Sequence, residues 1–328
     1  MAWYDLPLEQ LRTHRTATQA PADLDAFWSR VLAATEAAAR PTTLERWKPG
    51  VYGPTPVWDV EFSGGRGDRI RAWYLRPAGV AEDEPLPVVV TSIGYGGGRS
   101  VPADHLALPA LGFASLVMDT RGQGARWAVG STGDGPDLGP ELSTVMSRGI
   151  TDPEQYYYTR LYCDVARAVD VAARDLPGVD SARIGVTGGS QGGALSLAAA
   201  ALRPGLVRAV AADVPFLCDI SRAIRITDSN PYKEVGDFLA QHVDLVETAE
   251  RTLAYVDNAV LAPRITAPVH MTVGLMDDIC PPSTVFAAFN ALEVEDRSIV
   301  VNQFGGHSPS HVHDELKLRF LRERLGLA

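Results

Sequence analysis

The sequence has little that would point to a membrane, a disulfide framework or a nucleic acid. No run of 18 apolar residues is present, and residues 1–10 (MAWYDLPLEQ) lack the basic and apolar regions of a secretory signal. Three widely spaced cysteines, Cys163, Cys218 and Cys280, do not suit a disulfide framework or a zinc site. With 30 basic and 40 acidic residues, the net charge of −10 repels phosphate backbones. We therefore expect a cytoplasmic protein with no nucleic-acid or membrane partner and no metal or organic cofactor.

The composition is that of a globular domain with an ordinary core. Of the 328 residues, 46 % are hydrophobic and 21 % are charged, whereas a disordered chain would be poorer in apolar residues. No internal repeat is visible, so we expect one domain over residues 1–328. Residues 1–80 are predicted to form an N-terminal extension. It consists of a helix capped by Asp23 and a hairpin of strands 57–62 (VWDVEF) and 70–75 (IRAWYL).

From residue 87 the pattern changes to short apolar runs that alternate with helical segments. The predicted strands are residues 88–93, 114–118, 184–187, 209–212, 269–273 and 298–302. Such continuous runs suit strands buried on both faces, so we expect an α/β fold with a mostly parallel central sheet flanked by helices. Two segments interrupt the alternation. Residues 121–158 indicate a long ordered loop, and residues 220–256 indicate a helical insertion over the edge of the sheet.

The most informative motif is G-x-S-x-G, within residues 188–193 (GGSQGG). It follows a predicted strand and precedes a predicted helix, which is the context of a nucleophile elbow. In an elbow, Ser190 would stand on a tight turn at a helix N-terminus, whose partial positive charge favours a developing oxyanion. The alternative is a glycine-rich turn in which the serine only caps the helix. The strand before the motif and the helix after it favour the nucleophile.

A serine nucleophile needs a base, and the base needs a carboxylate that orients it. In folds with such an elbow, the partners follow in the order Ser, Asp or Glu, His. One late strand leads to Asp277 and Asp278 and the last strand leads to His307, which places these side chains at the carboxyl edge of the sheet. Either aspartate could instead cap the next helix, and His307 could be an exposed loop residue. A metal site of His307 with His311 and His313 would lack acidic or thiolate ligands.

An acyl-enzyme also needs hydrogen-bond donors for its oxyanion. One donor is normally the backbone N–H after the nucleophile, which here belongs to Gln191. The second comes from a loop after an early strand, and the glycine-rich residues 93–98 (IGYGGG) match that position. A phosphate-binding role for this loop is less well supported, because the lysine and serine of the G-x-x-x-x-G-K-[ST] motif are absent.

Several segments together resemble one known family. The sequence is similar to carbohydrate esterase family seven, the acetyl xylan esterases and cephalosporin-C deacetylases of the α/β-hydrolase superfamily. The matching segments run in order nearly from end to end: residues 4–9 (YDLPLE), 117–124 (VMDTRGQG), 188–193 (GGSQGG), 213–218 (DVPFLC) and 274–288. The resemblance implies an α/β-hydrolase fold and a serine esterase that removes acetyl groups through an acetyl-enzyme.

The resemblance also assigns the catalytic triad residue by residue. It places the nucleophile at Ser190 and the base at His307. Of the two aspartates, it selects Asp277 over Asp278 as the acid. One position departs from the family pattern, because the residue after the histidine is usually glutamate and is Ser308 here. The glutamate is not a triad member, so this departure concerns the surroundings of His307 and the level of activity.

Around the triad, the resemblance implies further roles. The oxyanion donors would be the backbone N–H groups of Tyr95 and Gln191. Arg121 and Gln123 match a family signature, which we interpret as a structural brace for the active-site loops. The expected substrates are small acetylated xylo-oligosaccharides and cephalosporins. Since family members commonly form hexameric rings, we expect a homo-oligomer of that kind.

Three other functions agree less well with the sequence. A peptidase of the prolyl-oligopeptidase type usually carries a propeller domain, and the sequence has no such repeat. A dienelactone hydrolase has cysteine at the elbow, where this chain has Ser190. A protein that keeps the fold for binding alone is supported only by Ser308, and the intact set of Ser190, Asp277 and His307 opposes it.

Overall fold

The structure is a computed structural model that describes residues 3–135, 139–141, 144–308 and 310–327. The two ends of the predicted domain, residues 1 and 328, lie outside the described residues. One sheet forms the centre of the described part. Its nine strands are β1 (Thr43–Arg46), β2 (Val57–Ser63), β3 (Arg69–Leu75), β4 (Leu86–Ser92), β5 (Ala114–Met118), β6 (Val179–Gly189), β7 (Val207–Asp213), β8 (Val269–Gly274) and β9 (Arg297–Asn302).

The sheet is antiparallel at one end and parallel over the rest. Its strand order is β1-β2-β3-β5-β4-β6-β7-β8-β9. In this order, the adjacent strands β1, β2, β3 and β5 pair antiparallel. From β5 onward, β5, β4, β6, β7, β8 and β9 pair parallel. The predicted α/β fold with a mostly parallel sheet is therefore confirmed.

Helices cover both faces of this sheet. In the described residues they are α1 (Leu8–Leu11), α2 (Leu24–Ala37), α3 (Pro49–Tyr52), α4 (Ala107–Ala110), α5 (Tyr157–Arg174), α6 (Gln191–Leu202), α7 (Ile220–Ile226), α8 (Tyr232–Gln241), α9 (Val246–Ala254), α10 (Asn258–Leu261), α11 (Pro282–Ala291) and α12 (His311–Arg324). None of these described helices combines the length and the apolar character that crossing a membrane requires.

The two faces of the sheet have separate hydrophobic cores. Val88 and Val90 of β4 belong to the larger core, where α5 and α6 pack on β4, β6 and β7. Val89, between them, belongs to a smaller core with Phe320 and Leu321 of α12. This alternation follows from the two-residue period of a strand, and it explains why the central strands are apolar throughout.

Most of the elements expected in the first 80 residues are present. The predicted hairpin is β2 and β3, which pair from Val57 to Leu75. The sequence did not indicate β1, because its residues are mostly exposed and carry no apolar pattern. Asp23 precedes α2, but its side chain does not cap the helix. Its carboxylate instead accepts a hydrogen bond of 2.5 Å from the hydroxyl of Tyr255, so that part of the prediction was wrong.

The two segments that interrupt the alternation also have the predicted character. Residues 220–256 lie between β7 and β8 and contain α7, α8 and α9, so the helical insertion is confirmed. Its helix α8 buries Tyr232, Val235 and Leu239, which share one face of the helix. Between β5 and α5, the described residues contain no helix or strand, in agreement with the long loop predicted at 121–158.

The register of the parallel strands brings their carboxyl ends to one edge. Ser92 of β4 pairs with Gly188 of β6, and Gly189 pairs with Asp213 of β7. At the far side, Gly274 of β8 pairs with Asn302 of β9. The loops that follow these strands therefore start next to one another. This edge is where ligands bind in open α/β sheets.

Candidate active site

Ser190 occupies the turn between β6 and α6. Its backbone has a φ of +56° and a ψ of −118°, a conformation that costs a non-glycine residue about 1–3 kcal/mol. The neighbouring glycines make this turn possible. A Cβ on Gly188 would lie 2.5 Å from the carbonyl carbon of Gly192, and a Cβ on Gly192 would lie 2.2 Å from the oxygen of Ser92. Only glycine at both positions lets β6, β4 and α6 approach this closely.

Backbone hydrogen bonds hold the turn in place. The N–H of Ser190 donates to the oxygen of Asp213 at 2.9 Å, and the carbonyl oxygen of Ser190 accepts from Ala194 and from Phe216, both at 3.0 Å. The serine is thereby tied to the ends of β7 and to the first turn of α6. Its position depends on main-chain contacts, and its hydroxyl is not needed to form the turn.

Asp277 and His307 lie on the loops after β8 and β9 and are in direct contact. Asp277 is fully buried, and its Oδ2 lies 2.8 Å from Nδ1 of His307. Its Oδ1 accepts from the N–H groups of Ile279 and Cys280, both at 2.9 Å. These two bonds orient the carboxylate, which in turn orients the imidazole. The histidine side chain is 19 % exposed, so solvent and small molecules can reach it.

Asp278 contacts the helical insertion and not the histidine. Its Oδ2 accepts from the hydroxyl of Ser229 at 3.1 Å, and its carbonyl oxygen accepts from the hydroxyl of Thr227. Of the two aspartates that the sequence pattern left open, only Asp277 bonds to His307 within the described residues.

Ser190 and His307 line one cavity, whose volume is about 810 Å³. No hydrogen bond joins the Ser190 hydroxyl to the His307 ring in the part of the chain that the structure describes. In the absence of substrate, such catalytic hydrogen bonds are often long and tighten when substrate binds. The thiol of Cys280 interacts with Ser190, and burial raises the pKa of this thiol well above its ordinary value, so it stays neutral.

The N–H groups of Tyr95 and Gln191 belong to segments that meet beside Ser190. Gln191 is the first residue of α6, so its N–H has no acceptor one turn earlier in the helix. Tyr95 lies in the loop after β4 and lines the same cavity as Ser190. Within the described residues, neither N–H donates a backbone hydrogen bond. Two N–H groups in this situation are suited to bind an oxyanion.

The side chain of Gln123 joins these two segments. Its Oε1 accepts from the N–H of Gly96 at 2.6 Å, and its Nε2 donates to Oε1 of Gln191 at 2.9 Å and to the hydroxyl of Tyr157 at 2.8 Å. Gln191 in turn donates from Nε2 to the oxygen of Ile93 at 3.1 Å. The loop after β4 and the start of α6 are thus connected by two buried amides.

Arg121 is fully buried and joins the hairpin, the long loop and α5. Its Nε and Nη2 donate to the two carboxylate oxygens of Asp164, both at 2.6 Å. Its Nη1 donates to Asp68 at 2.8 Å and to Asp134 at 3.4 Å. Burial opposes the charge, but Asp164 and Asp68 outweigh it and raise the pKa of Arg121. The guanidinium therefore keeps its protons. We refer to Arg121, Asp68, Asp134 and Asp164 as the Arg121 cluster.

The three late histidines do not form a metal site. Nδ1 of His313, in the first turn of α12, accepts from the N–H of Ser310 at 3.0 Å, so this side chain caps the helix. Over the described ranges, no group of three or more His, Cys, Asp or Glu side chains could hold a metal ion. The three cysteines are buried free thiols, as predicted.

Two residues at the cavity were not selected from the sequence. Glu234 of α8 accepts hydrogen bonds of 2.8 Å from the hydroxyl of Tyr95. Trp127 of the long loop donates from Nε1 to the oxygen of Tyr95 at 2.8 Å. No motif marks either residue, because the chain brings them to Tyr95 from distant segments. The only signal was that both lie in the two segments that interrupt the strand–helix alternation.

Comparison with known proteins places this geometry in a family. The sequence model for acetyl xylan esterase (AXE1) matches residues 1–324. The structure of acetyl xylan esterase 1 from Thermoanaerobacterium sp. JW/SL YS485 is 34 % identical with a TM-score of 0.87, covering 98 % of this chain and 99 % of that one. The acetyl xylan esterase from Paenibacillus sp. R4 is 33 % identical with a TM-score of 0.85, covering 97 % and 100 %.

A curated relative agrees with these two structures. Acetyl esterase Axe7A of Xylanibacter ruminicola is 29 % identical over 296 residues. The alignment covers 86 % of this chain and 63 % of that protein, so the chain spans less than two thirds of this relative's length. The high TM-scores to both solved esterases confirm the α/β-hydrolase fold.

Proposed function

The chain belongs to the acetyl xylan esterase family of carboxylic ester hydrolases, and from this premise we propose that it is a serine esterase that removes O-acetyl groups. One observation carries the proposal. Ser190, on a strained turn, shares a cavity with His307, whose ring is hydrogen-bonded to the fully buried Asp277. These are the three chemical groups of an activated serine nucleophile, in the chain order Ser, Asp, His.

In the first half of the reaction, Ser190 becomes acetylated. His307 accepts the hydroxyl proton as Oγ forms a bond to the carbonyl carbon of the acetyl ester. The carbonyl electrons move to oxygen, and the N–H groups of Tyr95 and Gln191 bind this oxyanion. When the oxyanion collapses, the bond to the alcohol oxygen breaks, and His307 returns its proton to that oxygen. Asp277 stays ionised and stabilises the imidazolium.

In the second half, water releases acetate. His307 takes a proton from water as the water oxygen attacks the acetyl carbon, and the oxyanion forms again between the same two N–H groups. Its collapse breaks the bond to Ser190, which recovers its proton from His307. Asp277 keeps the imidazole in one tautomer throughout, so that the same nitrogen faces the serine in both halves.

We further propose small acetylated molecules as substrates, with xylo-oligosaccharides and cephalosporin C as the candidates. The volume of about 810 Å³ is far more than an acetyl group fills and is within the usual range for small-molecule sites, so the alcohol part of the substrate has room beside Ser190. The homohexamer and the cytoplasmic location stay predictions.

Hydrolysis of p-nitrophenyl acetate, butyrate and octanoate tests the proposal. We expect fast turnover of acetate that declines with chain length. In Ser190→Ala, kcat should fall by about 10⁴-fold or more, because the attacking group is gone. Stoichiometric labelling by a fluorophosphonate should occur in the wild type and vanish in the same variant, since labelling requires an activated hydroxyl.

A matched control lies on the same helix. Ser196 of α6 is buried, its hydroxyl donates to the oxygen of Gly192 at 2.8 Å, and it is not among the described residues that line the cavity. Ser196→Ala should keep the activity and the labelling. Equal activity of the wild type and Ser190→Ala would contradict the serine mechanism. No turnover and no labelling of the wild type would favour a binding protein that has kept the fold.

A further inference from the structure

We propose that Glu234 is a positioning residue, through which the helical insertion holds Tyr95 and its backbone N–H in place for the oxyanion. The inference rests on the proposed function, and it assigns a role to the insertion at residues 220–256. The observation behind it is a hydrogen-bonded junction of three chain segments at the hydroxyl of Tyr95.

At this junction, the hydroxyl of Tyr95 and both carboxylate oxygens of Glu234 have hydrogen-bond partners. The Tyr95 hydroxyl lies 2.8 Å from both carboxylate oxygens of Glu234, to which it donates. The same hydroxyl accepts from the N–H of Val145 at 3.2 Å, and Oε2 of Glu234 accepts from the N–H of Met146 at 3.3 Å. The loop after β4, the long loop and α8 therefore meet at one phenol and one carboxylate.

Burial raises the pKa of Glu234, and its hydrogen bonds from Tyr95 and from the N–H of Met146 oppose this rise. Burial and the nearby Glu234 carboxylate raise the pKa of Tyr95 well above its ordinary value, so the phenol stays protonated and donates a hydrogen bond to the carboxylate. A carboxylate can accept from the phenol and from a backbone N–H at the same time. A neutral amide keeps one such oxygen and places its NH₂ group at the position of the other, so it would keep part of this set of contacts.

Helix α8 is anchored firmly enough to act as a support. Its buried Tyr232 packs against Phe216, with ring centroids 4.3 Å apart. The N–H of Phe216 donates to the carbonyl oxygen of Ser190 at 3.0 Å. The helix that carries Glu234 is thus packed against a residue that is hydrogen-bonded to Ser190, and this links the position of Tyr95 to that of Ser190.

The backbone around Tyr95 has three other supports. The carbonyl oxygen of Tyr95 accepts from Trp127 Nε1, and the next N–H, that of Gly96, donates to Gln123. Both contacts lie on the carboxyl side of the Tyr95 Cα. The N–H of Tyr95 belongs to the preceding peptide, whose carbonyl oxygen, that of Gly94, accepts from the N–H of Gly97 at 3.1 Å. All three are contacts of the loop backbone, and the hydroxyl of Tyr95 adds the contact with α8.

A double-mutant cycle tests the inference. Tyr95→Phe removes the hydroxyl and keeps the N–H, and Glu234→Ala removes the acceptor. Each should lower kcat for p-nitrophenyl acetate by about 10-fold, less than the loss of a whole oxyanion donor, with KM within about twofold, because the oxyanion exists only in the transition state. The double variant should lose no more than either single variant. Glu234→Gln should recover part of the loss.

Asp237→Asn is the matched control for charge. Asp237 lies on the same helix, its side chain is 65 % exposed and it pairs with Lys233. Its replacement removes one negative charge from α8 and should leave kcat unchanged. Thermal unfolding of every variant should stay close to that of the wild type, and hydrogen exchange of the peptide covering residues 93–98 should be faster in Tyr95→Phe and in Glu234→Ala.

The outcomes separate this inference from the proposed function. Full activity of both single variants, or losses that add in the double variant, would overturn the role of Glu234 while the esterase assignment stands. A wild type with no esterase activity would overturn both, whatever the exchange data show. A tenfold loss shared by both single variants and the double variant, with unchanged exchange in Asp237→Asn, would establish the positioning role.

Discussion

The sheet edge and the Arg121 cluster are built in different ways. At the sheet edge, Ser190, Asp277 and His307 each follow a strand of one parallel sheet, and backbone pairing brings the strand ends together. In the Arg121 cluster, a buried guanidinium holds three carboxylates from separate segments. Main-chain hydrogen bonds position the first group, whereas charged side chains position the second.

This difference has a consequence for folding. Backbone pairing is insensitive to the side chain that follows a strand, so a functional residue there can be replaced with little effect on the fold. A buried charge needs its partner, and removal of one member leaves an uncompensated charge in the protein interior. We therefore expect substitutions at the sheet edge to lower activity first, and substitutions in the Arg121 cluster to lower stability first.

After the loss of Ser190 itself, Asp277→Asn should have the largest effect, and on activity alone. The amide oxygen can still accept from the N–H groups of Ile279 and Cys280, but the NH₂ group then faces Nδ1 of His307 and favours the wrong tautomer. We expect kcat for p-nitrophenyl acetate to fall by about 10³–10⁴-fold. The free energy of unfolding, measured by urea titration, should change by less than about 1 kcal/mol.

The neighbouring aspartate supplies the control. Asp278→Asn removes the same charge one residue later and should keep kcat within about threefold, since Asp278 bonds to Ser229 and not to His307. If Asp278→Asn lost more activity than Asp277→Asn, the assignment of the acid would be wrong.

Arg121→Met should have the next largest effect, on stability. The substitution leaves Asp164, which is fully buried, without its two guanidinium hydrogen bonds. We expect the free energy of unfolding to fall by about 3–5 kcal/mol. The same substitution at the surface, Arg69→Met, should change it by no more than about 0.5 kcal/mol, because that side chain is 69 % exposed.

Urea titration of both arginine variants, together with kcat for the folded protein, distinguishes the two kinds of role. Wild-type stability combined with a large loss of kcat in Arg121→Met would break the comparison, since it would make the cluster part of the chemistry.

The smallest expected effect is on the stability of the fold at low pH. Burial disfavours the charge of Asp134, but Arg160 and Arg148 outweigh it and lower the pKa of Asp134 to about 2, below its ordinary value of 3.8. This carboxylate therefore contributes stability that is complete above about pH 5 and is lost as pH falls through 3.8 toward 2. We expect the advantage of the wild type over Asp134→Asn, measured by urea unfolding, to shrink by about 1–2 kcal/mol between pH 5 and pH 2. A difference that does not vary over this range would show that Asp134 is not held as an anion.

Much of the fold and part of the site could be predicted from local patterns. The apolar runs predicted the central strands, and the G-x-S-x-G motif between a strand and a helix located the turn at Ser190. The edge strand β1 was missed, because strands that face solvent need no apolar pattern. The capping role of Asp23 was wrong for another reason. A short polar side chain can cap a helix or bond elsewhere, and the hydroxyl of Tyr255, 232 positions away, provided the alternative.

The insertion shows the same limit at the active site. Its helical character could be predicted, since α8 has Tyr232, Val235 and Leu239 on one face. Its contact with the loop after β4 could not be predicted, because Glu234 looks like any polar residue on the exposed side of such a helix. Only the tertiary packing of α8, through Tyr232 on Phe216, brings that carboxylate to Tyr95, 139 positions earlier in the chain.

The sequence by itself determined the order of strands and helices, the glycine-lined turn at Ser190 and the loops that carry acid and base. These features depend on the preferences of neighbouring residues, which act over a few positions of the chain. The family resemblance had already selected Asp277 over Asp278 as the acid. The tertiary structure alone shows that Asp277 contacts His307 and that Arg121 pairs with Asp164. These contacts join residues 30 and 43 positions apart. The direction of a side chain at such a distance is set by the packing of whole elements, which no local pattern contains.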